Sequence, residues 1–139
     1  MTDTLNPAGS AMATANNETT NSQARFDDAW EQYRSAIDRL EAGDFRDACG
    51  KAWNATRAAA EAAVLAHNGN TSTTTQISTG FRRLSRANGF ADLPAKYSER
   101  AQFLHIDGCY YGMVYDDHIL ELIRETDSLI RQAEQLAAA

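Results

Sequence analysis

Residues 44–67 read "DFRDACGKAWNATRAAAEAAVLAH", and this stretch limits the fold more than any other. It holds no proline, and alanine, the best helix former, dominates its second half. On a helical net Phe45, Cys49, Ala52, Trp53, Thr56, Ala60, Ala63, Val64 and His67 share one face. Most of that face is small, so a second helix can approach its backbone closely. Asp44 is placed to cap the helix start, and Asp47 three residues on favours the N-terminal dipole. The "NGN" at 68–70 stops it, with His67 suited to the C-terminal dipole. A long, narrow-faced helix of this kind needs helical neighbours on its buried side.

The rest of the chain supplies them. Phe26, Trp30, Tyr33, Ile37 and Leu40 recur at alternating steps of four and three, which predicts a helix from near Ala24 to Gly43. The short gap at Gly43 makes these two helices an antiparallel hairpin. A shorter third helix is predicted from Gln76 to Asn88, with Ile77, Phe81 and Leu84 inward and Gly89 just past its end. Pro94 begins a fourth, carrying Tyr97, Ala101, Leu104, His105, Gly108, Cys109 and Gly112. Asp116 caps a fifth, whose face runs from Ile119 to Leu136. No segment reads as a strand. The expectation is an all-α, antiparallel helical bundle of four long helices and one short one, residues 24–139. Residues 1–23, rich in Thr, Asn, Ala and Ser, are expected to be a disordered tail.

Composition narrows the class. No apolar run approaches 18 residues, and no charged leader precedes an apolar stretch, so a cytoplasmic protein without membrane contact is expected. Cys49 and Cys109 stand far apart in sequence and read as small buried hydrophobes; no metal site or cofactor is expected. The net charge of −6 disfavours a broad nucleic-acid-binding surface. Its distribution is uneven. Residues 81–100 hold five bases (Arg82, Arg83, Arg86, Lys96, Arg100) against two acids, whereas residues 101–139 hold two bases against seven acids. Lys96 with Arg100, and Arg82 with Arg86, are like-charge i,i+4 pairs, an arrangement suited to a nearby anion.

Two stretches carry a family resemblance. "GDFRDACGKAWNA", through Gly43, Asp44, Phe45, Ala48, Lys51, Trp53 and Ala55, is similar to a signature of the archaeal PaREP proteins within the HEPN superfamily. "FLHIDGCYYG", residues 103–112, resembles that family's stretch before the last helix. Gly50 stands where the signature has glutamate, and Ala101 where a polar residue is usual after the arginine. The resemblance implies a HEPN-like helical bundle, commonly a homodimer. It also implies a metal-independent endoribonuclease that uses an arginine and, four to six residues on, a histidine. Arg100 and His105 have that spacing. Other members of the superfamily are non-catalytic scaffolds, or partners of a small nucleotidyltransferase in toxin–antitoxin pairs. There a tyrosine near the histidine is modified, which makes Tyr110 a candidate, with Tyr111 beside it.

The chemistry fits the residue types. RNA cleavage without metal needs a base for the 2′-hydroxyl, and histidine titrates in the right range. It also needs a cation to hold the phosphate, and arginine offers a planar two-point grip. On an α-helix, however, Arg100 and His105 point about 140° apart, so a bend or a second copy has to bring them together. Two functions follow. One is RNA or nucleotide binding and cleavage by Arg100 and His105, with Arg82, Arg83, Arg86 and Lys96 holding phosphates. The other is a non-catalytic dimerisation or adaptor module that binds a partner protein.

Overall fold

A computed structural model describes residues 7–113 and 115–139, with side chains from Asn21 onward. The described elements are helical throughout: α1 (Pro7–Glu41), α2 (Phe45–Ala66), α3 (Thr74–Ala87), α4 (Leu93–Arg100), a π-helical segment (Ala101–Tyr110), α5 (Asp117–Arg124) and α6 (Thr126–Ala137). The first helix starts at Pro7 rather than near Ala24; proline at a first helical position gives up an N–H that has no partner there. Of the expected tail, residues 1–6 lie outside the described residues.

α1 and α2 form the antiparallel hairpin expected. Gly43, at φ +79°, makes the turn, and the Asp44 carboxylate accepts from the Asp47 amide at 3.3 Å. At the far end the buried Ser22 hydroxyl donates to the Ala62 carbonyl at 2.7 Å. At the near end Arg39 pairs with Asp47 at 3.0 Å. The seam differs from the aromatic stripe read in the sequence. Its buried residues on α1 are Ser22, Phe26, Ala29 and Ala36, set against the alanines of α2. Trp30 and Tyr33 are half-buried and reach the last helices instead. The Trp30 indole donates to Glu134 at 3.2 Å, and the Tyr33 hydroxyl to the Arg124 carbonyl at 3.2 Å. Small residues in the seam let the backbones close up, which pushes large rings to its flanks.

α3 is opened by a reciprocal cap between Thr73 and Gln76. It presents Ile77 and Phe81 to the core. Tyr97 of α4 is buried between Trp53 and Phe81, with ring centroids at 5.5 Å and 5.4 Å. Burial raises its phenol pKa.

α4 then passes into the π segment without a break. Here the amide of Tyr111 bonds the carbonyl of Ile106, and the Gln102 amide group reaches Asp107, both five residues apart. Leu104 and Gly108 are its buried positions. Gly108 lies against Cys49, and Gly50 against Cys109, so the crossing with α2 is made of paired small residues. A π end leaves more carbonyls without helical partners than an α end. Side chains from outside take them up. Arg46 donates Nε to the Cys109 carbonyl and Nη2 to the Tyr110 carbonyl, each at 2.7 Å, and Tyr115 donates to Gly108 at 2.9 Å.

The last helix expected from Asp116 to Leu136 is two helices, broken at Glu125. Asp116 does cap, accepting from the Ile119 amide at 3.0 Å. The cause of the break is visible at the Leu122 carbonyl. It accepts from the Thr126 hydroxyl at 3.0 Å and from Arg100 Nη1 at 3.0 Å. A threonine bonding back four residues bends a helix, and an inserted side chain opens the ladder further.

Candidate functional site

Arg100 ends α4 and His105 lies in the π segment, and their surroundings decide what each residue can do. Arg100 is 4% exposed. Its Nη1 donates to the Leu122 carbonyl and, at 2.9 Å, to the Thr126 hydroxyl. Burial lowers its pKa to about 10, against the pull of Glu125, Glu99 and Asp127. His105 is exposed and stacked on Trp53, with centroids at 5.3 Å and planes 18° apart. One side chain therefore faces the α5–α6 break and the other the α2 surface. Within one chain they share no partner among the described residues.

The basic island does not form one surface. Arg82 is half-buried, donates to the Ser98 hydroxyl at 2.9 Å, and lies 5.8 Å from the Tyr97 ring centroid. Arg83 and Arg86 are exposed, and with Arg82 they line an open groove beside Thr79 and Ala87. Lys96 turns the other way, pairing with Asp92 at 3.0 Å and donating to Gln132 at 3.1 Å. Those contacts, the Lys96 hydrogen bond first, lower the Asp92 pKa. The expected Lys96–Arg100 repulsion is relieved because Lys96 is at the surface and Arg100 inside. His118 lies 4.0 Å from Glu99 and edge-on to Phe103.

The two tyrosines lie outside the core. Both face solvent, Tyr110 at 69% and Tyr111 at 64% exposure, in edge-to-face contact at 5.0 Å. Ile106 and Met113 are exposed too. All the exposed large hydrophobic side chains of the described residues thus fall within residues 106–113. Periodicity missed Ile106, because the π register departs from the 3.6-residue repeat, and Met113, because it follows the last helical residue of that segment. It also missed Arg46, which holds the backbone under the two tyrosines. The patch is thereby fixed to α2.

Beneath it Cys49 is fully buried, with its thiol pushed up to about 12, first by burial and then by Cys109. Both cysteines are free thiols. No helix among the described residues is long and apolar enough to cross a membrane.

No curated protein matches the sequence. The archaeal PaREP1/PaREP8 family matches residues 24–132, a span that takes in the α1–α2 hairpin, the π segment and most of α6. The chain belongs to that archaeal family.

Proposed function

We propose that this chain is a non-catalytic module that pairs with a second copy of itself through the 106–113 face, on a HEPN-like antiparallel bundle. The observation that carries this reading is the confinement of exposed Ile106, Tyr110, Tyr111 and Met113 to one eight-residue stretch, held to α2 where Arg46 bonds the Cys109 and Tyr110 carbonyls. Tyrosine and methionine are enriched in interfaces, where a ring can bury its face and keep its hydroxyl wet. A two-fold contact would place the same patch on both sides. Arg100, used inside the fold, is a structural residue in this reading. Sedimentation of the wild type and of a Tyr110→Ser/Tyr111→Ser variant tests it. A wild-type dimer and a monomeric variant with unchanged helicity are expected. A wild type that stays monomeric at tens of micromolar, in roughly the range of weak dimers, refutes it.

A second reading has its own observation. His105 is exposed and stacked on Trp53, and an aromatic platform of that kind suits an unpaired base. Arg83 and Arg86 lie on exposed α3 positions and could hold phosphates. In this reading the chain binds RNA, and His105 acts as general base once a second copy supplies the cation. Incubating RNA with wild type and His105→Ala in chelator decides it. Cleavage by the wild type alone, leaving a cyclic phosphate, supports the nuclease; equal results for both proteins rule it out.

A further inference from the structure

Arg100 is an unusual arginine. Ion pairs occur at several places on this chain, but none among the described residues involves Arg100. Its Nη1 is occupied twice, by the Leu122 carbonyl and the Thr126 hydroxyl. Nε and Nη2 have no protein partner among the described residues. They are not sealed in either, since among the described residues the one buried side-chain polar atom without a partner is Gln32 Oε1. Arg100 lines a cavity of about 310 Å³ between α4, α5 and α6. Nε and Nη2 form the side edge of the guanidinium, the edge that grips a carboxylate with two parallel hydrogen bonds. Arg46 shows the same edge in use on this chain, with Nε and Nη2 each bonding a carbonyl at 2.7 Å. On Arg100 no protein group among the described residues takes that edge.

The other walls say what belongs there. Leu122 and Leu129 edge its floor but are almost wholly buried in the core, and Glu99, Glu125 and Ser128 give polar walls. Both glutamates are close enough to act on the Arg100 charge. Lys96 also borders the cavity, but its ammonium is engaged by Asp92 and Gln132. A dianionic phosphate would meet two carboxylates at the mouth. A ligand with one carboxylate and one ammonium group would meet complementary charge at both ends. The volume suits a molecule of that size, at the small end of ligand sites.

The geometry points to a small-molecule site for an α-amino acid, with its carboxylate on the Nε/Nη2 edge of Arg100 and its ammonium at Glu125 and Glu99. This site is independent of the self-association face, which lies at the other end of the π segment. It would make the α4–α6 wedge of the chain a sensor or carrier of a free amino acid.

The test is a titration of the isotope-labelled full chain, followed by amide shifts. Leucine, methionine and valine are added one at a time, beside 4-methylpentanoate (leucine without its ammonium) and inorganic phosphate. At millimolar concentration at least one amino acid is expected to shift amides of residues 96–100 and 125–132. 4-Methylpentanoate is expected to bind at least about tenfold more weakly, and phosphate not to compete. Glu125→Gln, at an exposed position, should bring leucine down to the level of 4-methylpentanoate without lowering the melting temperature. Arg100→Lys should abolish binding; if that variant does not fold, the Glu125→Gln comparison carries the result alone. No shift with any amino acid overturns the proposal. So does phosphate or 4-methylpentanoate binding as tightly as leucine, or a Glu125→Gln variant that keeps the preference.

Discussion

The α2–π crossing can be broken by one methyl group, and the structure says which of two glycines is the harder to replace. A Cβ on Gly50 would stand 2.9 Å from Cys109 Sγ, with no other atom closer than 3.8 Å. A Cβ on Gly108 would stand 2.6 Å from Cys49 Sγ, 3.0 Å from Cys49 Cβ and 2.9 Å from the Phe103 carbonyl oxygen. Comfortable contacts lie nearer about 3.5–4.0 Å. Gly50→Ala meets a single sulfur on a half-buried side chain that can rotate, and it gains about 1 kcal/mol of helix propensity. Its net cost should be small, about 0–1.5 kcal/mol. Gly108→Ala meets the carbonyl of Phe103 in its own π segment as well as the Cβ of Cys49, so both the π backbone and α2 have to shift, and about 2–4 kcal/mol is expected from overpacking. The partner substitutions separate the two. Cys109→Ala removes the one atom opposing Gly50→Ala and should rescue it by about 1 kcal/mol in a double-mutant cycle. Cys49→Ala leaves the Phe103 oxygen and the Cys49 Cβ in place and should not rescue Gly108→Ala. Urea unfolding resolves these differences, and thermal melts should show roughly 3–5 °C per kcal/mol at this chain length. A Gly108→Ala protein as stable as wild type, or one restored by Cys49→Ala, would refute the packing argument.

Two further outcomes follow from buried groups. Arg100→Met keeps an aliphatic stem but removes both Nη1 bonds, and a loss of about 2–4 kcal/mol in urea unfolding is expected; the Leu122 carbonyl still has Thr126, so α5 and α6 should stay folded. Cys49 gives an alkaline signature: its folded pKa, about 12, lies above its ordinary value of 9.0, so the folded state holds a proton that the unfolded chain releases. Its contribution is full below pH 9 and falls as pH rises toward 12, by roughly 3–4 kcal/mol in all. Cys49→Ala should flatten stability measured across that range, and in the wild type Cys49 should alkylate far more slowly than Cys109. Arg100, lowered to about 10, acts in the opposite sense above pH 10, so the comparison is made between variants rather than on the wild type alone.

Much of the helical framework was legible because its signals are local. Asp44 and Asp116 cap where their sequence position suggests, and Gly43 and Gly89 take up positive φ at helix ends. What could not be read depends on distant partners. The bend at Glu125 needs Arg100 and Thr126 on one carbonyl, a contact across 22 residues that no periodicity encodes. The seam of α1 runs through Ala29 and Ala36 instead of Trp30 and Tyr33, since the choice between a small and an aromatic stripe is made by the face opposite. Arg100 and His105 were recognisable as a pair by spacing, but spacing is silent on burial. The π register decided the rest, turning both Tyr110 and Tyr111 to solvent where α-geometry allows one of them to face inward.

The π segment also sets where this chain can change length. Each π turn holds about one residue more than an α turn. Loss of one residue from α2 would rotate everything beyond it by about 100° and misalign its alanine face. Loss of one residue between Gln102 and Asp107 could instead be absorbed by tightening to α-type bonds, leaving α5 and α6 in place. The widened turn is thus a store of slack in the chain, and shortening it would redirect the 106–113 surface while sparing the core.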